Sequence, residues 1–203
     1  DPSEFDRDGD GLSDVILVGA WTGPAAPPVG GIWRSEDEGQ TFAHLAFKEL
    51  NITALGSFAG DASVLFATAY EGHVYRSEDL GESWSDITGN VPLAHVSDLA
   101  VHPADANALY VTNGWVQADE PPVWKTTDGG QSWHPASRGL DSEEISGFPA
   151  ILMDRFDPDT LYVTTTKAPA DKGGVYKSID GGNKWRLMPA RLVLPDGRPF
   201  FWF

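Results

Sequence analysis

Residues 175–185 read Val175-Tyr-Lys-Ser-Ile-Asp-Gly-Gly-Asn-Lys-Trp185, and close variants of this stretch occur three more times earlier in the chain. Val175 to Lys177 alternate as strand residues do, and Asp180-Gly181-Gly182 supplies residues that tolerate positive φ. The residues from Lys184 to Leu187 then resume an extended pattern. The stretch therefore predicts a β-hairpin, and its recurrence predicts a repetitive all-β architecture.

The four copies share one pattern: Ser or Thr, any residue, Asp, any residue, Gly, any two residues, and then Trp or Phe. Their Asp residues follow one another at intervals of 42, 49 and 52 positions. The Asp and Ser or Thr side chains can satisfy backbone groups that a tight turn leaves unpaired, while the aromatic ring packs beneath. We therefore expect these residues to be structural rather than catalytic. They are Ser35, Asp37, Gly39 and Phe42; Ser77, Asp79, Gly81 and Trp84; Thr126, Asp128, Gly130 and Trp133; and Ser178, Asp180, Gly182 and Trp185.

Two further short strands are predicted before each of the last three hairpins, at 52–58 and 64–70, at 96–101 and 108–112, and at 150–154 and 160–164. The repeating unit therefore has four strands. Units of about 40 to 50 residues with four strands are typical of β-propeller blades, which bury their faces by stacking on one another. The sequence predicts an all-β propeller of four-stranded antiparallel blades, at about 15–47, 52–89, 96–138 and 149–191.

The first predicted blade lacks an obvious first strand, and the apolar segment 199–203 is predicted to be a terminal strand with no hairpin after it. In one arrangement the terminal strand completes blade one in a four-bladed ring. In the other, these blades are part of a six- to eight-bladed propeller, or another chain completes them. We expect the second arrangement, because rings of four blades are uncommon and a bare aromatic strand would leave an adhesive edge.

The hairpin pattern resembles the Asp-box, or BNR repeat, of a large group of β-propellers, and the resemblance covers nearly the whole chain after Asp14. Sialidases, xyloglucan-active glycosidases, sortilin-type receptors and photosystem assembly factors all contain such repeats. The resemblance therefore implies the fold more strongly than any one activity. It implies a binding or scaffold module, with a glycoside hydrolase and a structural subunit of an extracellular assembly as alternatives.

The N-terminal segment, residues 1–14, has acidic residues at alternate positions. Calcium takes about six to eight oxygen ligands from a tightly turned loop. A full EF-hand is not predicted, because Leu17 stands where the bidentate Glu is expected and residues 15–19 read as a strand. The segment instead resembles the calcium loops of FG-GAP/VCBS propeller repeats or of thrombospondin type 3 repeats. We expect Ca²⁺ as a cofactor, with ligands from Asp6, Asp8, Asp10, Asp14 and the carbonyl of Leu12.

Loops on the propeller face opposite the hairpins are expected to carry any binding site. Trp21 and Trp115 fall in long loops of this face, where each could stack on a sugar ring or fold back over the propeller edge. A glycosidase needs two carboxylates about 5 to 9.5 Å apart. Unless two acids of these loops lie that close together, we expect them to be solvated surface residues without a catalytic role. The catalytic candidates are Asp119, Glu120, Asp141, Glu143 and Glu144.

Composition narrows the range of partners. The chain has 30 Asp and Glu against 14 Lys and Arg, a formal net charge of −16, and no cysteine. Such a charge repels phosphate backbones and anionic membrane surfaces, so we expect no nucleic-acid partner. Because no run of about 18 apolar residues exists, membrane insertion is not expected either. The expected ligand is a protein or a carbohydrate, and the expected location is secreted, periplasmic or cell-surface, although this chain carries no signal peptide.

Overall fold

The computed structural model describes residues 15–22, 29–114, 120–140, 149–165 and 174–188. Within these ranges the chain forms fifteen strands and no helix. The strands are β1 (Ile16–Ala20), β2 (Gly31–Ser35), β3 (Ala43–Ala46), β4 (Ile52–Phe58), β5 (Asp61–Ala69), β6 (His73–Ser77), β7 (Ser85–Asp86), β8 (Val96–Val101), β9 (Leu109–Asn113), β10 (Val123–Thr126), β11 (His134–Pro135), β12 (Ile151–Met153), β13 (Leu161–Thr165), β14 (Gly174–Ser178) and β15 (Arg186–Leu187).

The strands form four antiparallel sheets in chain order. Sheet 1 contains β1 to β3, sheet 2 β4 to β7, sheet 3 β8 to β11 and sheet 4 β12 to β15. The first strand of sheet 2 contacts that of sheet 3, which in turn contacts that of sheet 4. Each sheet is a propeller blade, so the predicted all-β propeller fold is confirmed. The predicted terminal strand at 199–203 lies outside the described residues.

The four sheets share one pairing register. The Ser or Thr that opens each hairpin pairs across the sheet with an apolar residue of the preceding strand, in the pairs Ile16–Ser35, Leu65–Ser77, Leu109–Thr126 and Leu161–Ser178. Strands β1 to β3 therefore correspond to the second, third and fourth strands of the other sheets. Every hairpin joins a third strand to a fourth, and residues of different sheets can be compared position by position.

Each pair of neighbouring sheets encloses its own apolar cluster. Sheets 1 and 2 bury Ile32 and Ile52, sheets 2 and 3 bury Phe66 and Val96, and sheets 3 and 4 bury Tyr110 and Ile151. Full burial of one large apolar side chain contributes about 1.5–3 kcal/mol relative to its exposed state. Three separate joints, rather than one central core, therefore hold the described blades together.

The aromatic residue at the end of a hairpin closes the joint to the preceding sheet. Trp133 is 1% exposed, and its indole Nε1 donates to the carbonyl of Ile87 at 3.0 Å. Trp185 is 2% exposed, and its Nε1 donates to the carbonyl of Ala136 at 2.7 Å. Each ring is thus held beneath the end of the fourth strand in the sheet before it. The hydrogen bond satisfies the one polar atom that burial would otherwise leave unpaired.

Phe42 lies against the glycine of its own turn, since a Cβ on Gly39 would come 3.8 Å from the Phe42 ring, but no neighbouring sheet in the described part of the chain buries it. Phe42 is 41% exposed, and Trp84 in the next sheet is only half-buried. Within the described residues no sheet precedes sheet 1 to cover Phe42. Trp84 packs against Phe47 of the preceding unit, with ring centroids 5.7 Å apart, but its Nε1 donates to the carbonyl of Gly81 in its own hairpin. The burial of each copy therefore depends on its neighbour rather than on its own sequence.

Polar contacts also connect successive sheets. Arg34 of sheet 1 forms an ion pair with Glu82 of sheet 2 at 2.7 Å. The equivalent Arg76 donates to Asn107 Oδ1 of sheet 3 at 3.1 Å, and the equivalent Lys125 donates to the carbonyl of Gly181 in sheet 4 at 3.4 Å. Of these three contacts only that of Arg34 with Glu82 is an ion pair, and an ion pair at the protein surface contributes about 0–1 kcal/mol. The main effect of the three contacts is to fix how each blade is oriented on the next.

Candidate functional site

The hairpin side chains are engaged within their own turns. Ser35 Oγ donates to Asp37 Oδ1 at 2.8 Å and accepts from the backbone N–H of Gly39 at 2.8 Å. Asp37 also accepts from the hydroxyl of Thr41 at 2.6 Å and from its backbone N–H at 2.8 Å. The Gly at this position has φ between 81° and 90° in all four hairpins, a region that Gly adopts most readily. The Ser or Thr, Asp and Gly contacts recur at Ser77, Asp79 and Gly81, at Thr126, Asp128 and Gly130, and at Ser178, Asp180 and Gly182.

These hydrogen bonds stabilise the ionised carboxylates. The hydroxyl and backbone N–H of Thr41, followed by the hydroxyl of Ser35, lower the pKa of Asp37 to about 2. The hydroxyl and N–H of Ser132 and the hydroxyl of Thr126 likewise lower the pKa of Asp128 to about 2. An acid with so low a pKa holds no proton to donate near neutral pH. Asp37 and Asp128 are therefore ionised turn residues rather than proton donors.

Three aromatic rings lie in a row on the opposite face. Trp21 directly follows β1, Tyr70 directly follows the equivalent strand β5, and His95 directly precedes β8. The ring centroids of Trp21 and Tyr70 are 4.9 Å apart with an interplanar angle of 48°, and Tyr70 stacks on His95 at 4.0 Å and 17°. Trp21 remains 48% exposed. This aromatic row crosses from sheet 1 over sheet 2 to the start of sheet 3.

Polar side chains next to the aromatic row form hydrogen bonds with residues of the row and its neighbours. Asn51, the last residue before β4, donates its Nδ2 to Glu71 Oε1 at 2.7 Å and accepts at Oδ1 from the backbone N–H of Thr22 at 3.0 Å. His95 Nδ1 lies 3.0 Å from the carbonyl oxygen of Tyr70. Because a carbonyl oxygen only accepts, Nδ1 carries the proton and Nε2 is the acceptor in the neutral ring. The row thus combines apolar ring faces with an amide, a carboxylate and an imidazole.

Of the predicted ligand-binding and catalytic residues, only Trp21 and Glu120 lie within the described part of the chain. Trp21 packs against Tyr70 and keeps 48% of its surface exposed, and its predicted role in binding a sugar stays a prediction. Glu120 accepts from Asn113 Nδ2 at 3.1 Å beside the end of β9. Trp115 and four of the catalytic candidates lie outside the described residues, namely Asp119, Asp141, Glu143 and Glu144.

Tyr70, His95, Asn51 and Glu71 are not among the residues predicted from sequence. One signal for Tyr70 was present, because it occupies the same position after a second strand as Trp21 does. For His95 the sequence offers only its place before a strand, since its partner Tyr70 lies 25 positions away. The contact depends on how sheets 2 and 3 stack.

The predicted calcium ligands Asp6, Asp8, Asp10, Leu12 and Asp14 lie outside the described residues. Within the ranges that the structure describes, no group of three or more His, Cys, Asp or Glu side chains could hold a metal ion. The same ranges contain no helix that is long and apolar enough to cross a bilayer.

Comparison with known proteins finds relatives among xyloglucanases and sorting proteins. The oligoxyloglucan-reducing end-specific xyloglucanase of Emericella nidulans is 25% identical over 216 residues, which cover 85% of this chain and 26% of that protein. The vacuolar protein sorting/targeting protein 10 of Colletotrichum graminicola is 34% identical over 107 residues, which cover 53% of this chain and 7% of that protein. The chain thus spans about a quarter or less of these relatives.

A solved structure and a family model agree with the observed architecture. The GH74 enzyme of Niastella koreensis superposes with a TM-score of 0.64 at 18% sequence identity, over 91% of this chain and 30% of that one. At this level of identity the likeness shows the fold. The model of the DUF6242 beta propeller domain matches residues 28–201, which include all four hairpins. This chain therefore belongs to the family of DUF6242 beta propeller domains.

Proposed function

We propose that the protein is a carbohydrate-binding propeller module that binds a neutral oligosaccharide of the xyloglucan class at the aromatic row. The observation that carries the proposal is the half-exposed indole of Trp21, held against Tyr70 on the face opposite the hairpins. Aromatic rings bury the apolar faces of sugars, and a few polar groups around them fix the orientation of the ligand. Glu71 and Asn51 are placed to supply such groups beside the row.

Charge and relatives support the choice of ligand. The formal net charge of −16 opposes the approach of an anionic polysaccharide, whereas a neutral one pays no such cost. Relatives named as xyloglucanases come from Emericella nidulans, Hypocrea jecorina and a Paenibacillus species. These names supply the ligand class that the experiment should examine first.

Calorimetric titration with xyloglucan oligosaccharides tests the binding site. We expect Trp21→Ala to weaken binding at least about tenfold, or roughly 1.4 kcal/mol, because it removes the exposed stacking surface. Tyr70→Ala should weaken it as well, since Tyr70 supports the indole. Phe42→Ala is the matched control, because this ring has a similar exposure, 41%, and lies on the hairpin side. Equal losses in Trp21→Ala and Phe42→Ala, or no binding by the unaltered protein, would contradict the proposal.

We also propose that Ca²⁺ orders the N-terminal segment. The support is the alternating series Asp6, Asp8, Asp10 and Asp14, which offers oxygens at the spacing of a calcium loop. We expect a chelator to lower the melting temperature of the unaltered protein and to leave that of Asp8→Ala unchanged. Glu4→Ala, which alters an acid outside the series, should keep the sensitivity to chelator. Identical melting of the unaltered protein with and without chelator would exclude the calcium site.

The proposal includes a location outside the cytoplasm: secreted, periplasmic or at the cell surface. Two considerations support it: a polysaccharide ligand is accessible there, and calcium loops of extracellular modules bind with Kd of about 10⁻⁴–10⁻³ M, which suits a calcium-rich medium. Fractionation of the source cells measures it. Recovery of the full-length product in the cytosol alone would contradict the location.

A glycoside hydrolase is the second candidate, favoured by the relatives named as xyloglucanases. It requires two acids at the separation that glycoside hydrolysis needs, drawn from Asp119, Glu120, Asp141, Glu143 and Glu144. Release of reducing ends from xyloglucan, abolished by Asp119→Asn or Glu143→Gln, would establish the enzyme. Oligosaccharide binding without turnover in the full-length product would establish the binding module.

A further inference from the structure

The face of sheet 4 that points away from sheet 3 is an open apolar surface. We call this the forward face, meaning the face toward the next blade in chain order. Leu152 on it is 65% exposed, and an open groove of about 370 Å³ runs over Ala150, Ile151, Leu152, Tyr162, Thr164 and Val175. The groove is almost wholly apolar. It lies away from the aromatic row, so an inference about it is independent of carbohydrate binding.

In sheets 2 and 3 the same positions are buried. Tyr162 is equivalent to Phe66 and Tyr110, and Val175 is equivalent to Val74 and Val123. All four of these counterparts are fully or almost fully buried. The forward face of sheet 4 therefore has the composition of an inter-blade joint, and none of the described residues forms a following sheet that covers it.

The first strand of the following sheet is what covers a forward face. Ile87 and Ala136 are equivalent residues, since their backbone N–H groups donate to the carbonyls of Val74 and Val123. The covering strands begin 9 residues after Ile87, at Val96, and 15 residues after Ala136, at Ile151. Met188, which donates to Val175, is the counterpart in sheet 4. The same intervals place the start of a covering strand between residues 197 and 203.

Residues 199–203, Pro-Phe-Phe-Trp-Phe, fall in that interval. We propose that this aromatic segment of the chain docks in the groove on the forward face of sheet 4 as a strand beside β12. Side chains of a strand alternate between its two sides, so two aromatic rings enter the groove in either register. Rings of this size suit an apolar groove, because each buries about 150–250 Å².

A second copy of the chain is the competing occupant. Its sheet 1 exposes Ile16, Val18 and Phe42 on the face that precedes the chain's own blades, and this surface could also cover the groove. The attached segment is favoured for two reasons. A tethered partner acts at an effective concentration of about millimolar, and it avoids bringing together two molecules of formal net charge −16.

Thiol cross-linking tests the docking, since the chain has no cysteine of its own. The probe is a bis-maleimide with a spacer of about 10 Å, applied to Leu152→Cys combined with either Phe200→Cys or Phe201→Cys. We expect an intramolecular cross-link in a monomer in both pairs. The matched control pairs Ile179→Cys, 70% exposed in the hairpin of the same sheet, with Phe201→Cys, and should react without cross-linking.

Each other outcome overturns the proposal. Cross-linked dimers identify a second copy as the occupant, and equal yields for Leu152→Cys and Ile179→Cys show that the segment has no preferred location. Limited proteolysis with chymotrypsin gives a second readout that needs no cross-link. Leu152→Asp should speed cleavage within 199–203 by about tenfold, whereas Ile179→Asp should not, because cleavage follows the population of the undocked segment.

Discussion

At the scale of single residues, a serine or threonine on either side ties the hairpin Asp into its turn in three of the four copies, and in the fourth the backbone N–H of Lys184 takes the place of the second one. Asp128 accepts from the Thr126 hydroxyl at 2.7 Å and from the backbone N–H of Ser132 at 2.9 Å. The carboxylate therefore replaces backbone acceptors that the turn itself cannot provide. The benefit exists only while the carboxyl group is ionised, which makes it dependent on pH.

We predict that the stabilising effect of Asp128 disappears in acid. Its pKa is lowered from 3.8 to about 2, so the unfolded chain takes up the proton before the folded chain does as the pH falls. The contribution is therefore fully present above about pH 4 and is lost as the pH falls towards 2. Urea unfolding at several pH values should show Asp128→Asn less stable than the unaltered protein at pH 6, with the gap narrowing towards pH 2.

The effect of Asp128 has to be measured as a difference in stability between variants, because the pKa of another acid, Asp98, is shifted in the opposite direction. Asp98 accepts from the backbone N–H of Ile151 at 2.8 Å, yet its burial raises the pKa of its carboxyl group. Glu49→Gln is a suitable control, since Glu49 is exposed and lies outside the hairpins. A gap between Asp128→Asn and the unaltered protein that stays constant from pH 6 to pH 2 would contradict the assigned role of the carboxylate.

At the scale of elements, the hairpin aromatic residues provide a natural comparison. Trp133 and Phe42 occupy the same position of the repeat, but the first is buried in a joint and the second is exposed. We predict that Trp133→Ala lowers the free energy of unfolding by about 3–5 kcal/mol, because it leaves a cavity and unpairs the carbonyl of Ile87. Phe42→Ala should cost less than about 1 kcal/mol. Chemical denaturation measures both, and equal losses would show that the position, rather than its neighbour, sets the cost.

The hairpins and most strands could be predicted because their signals are local. Asp, Gly and the alternating residues around them specify a turn within eleven positions, as at Val175 to Trp185. The site could be predicted only in part. Trp21 stood out by its loop, whereas the Tyr70–His95 stack and the exposure of Phe42 depend on which blade packs against which. Contacts between blades join residues of different repeats, such as Tyr70 and His95, which lie 25 positions apart, and the pattern of one repeat does not specify them.

At the scale of the whole molecule, the joints differ in how well they are enclosed. Sheets 2 and 3 have neighbours on both faces, whereas sheet 1 exposes Ile16 and Val18, and sheet 4 exposes Leu152. Local opening requires least free energy where fewest apolar contacts are lost. Stability should therefore fall from the middle of the described array towards its two ends.

Hydrogen exchange measures this gradient. We predict the slowest amide exchange in β5 and β9, which are central strands of the two enclosed sheets, and the fastest among the strands in β3 and β15. The comparison of β9 with β13 controls for strand position, because both are second strands of their sheets. Equal protection of all four sheets would show that the blades unfold as one cooperative unit.

The four sheets share one pairing register, and each joint has its own cluster of apolar residues. A unit of about 50 residues can therefore be duplicated or deleted with only the two adjoining surfaces affected. Genes for such proteins can lengthen or shorten by whole units, and the new copy finds a compatible surface on either side. Because each joint has its own apolar cluster, the number of blades can change without disturbing the joints between the other blades.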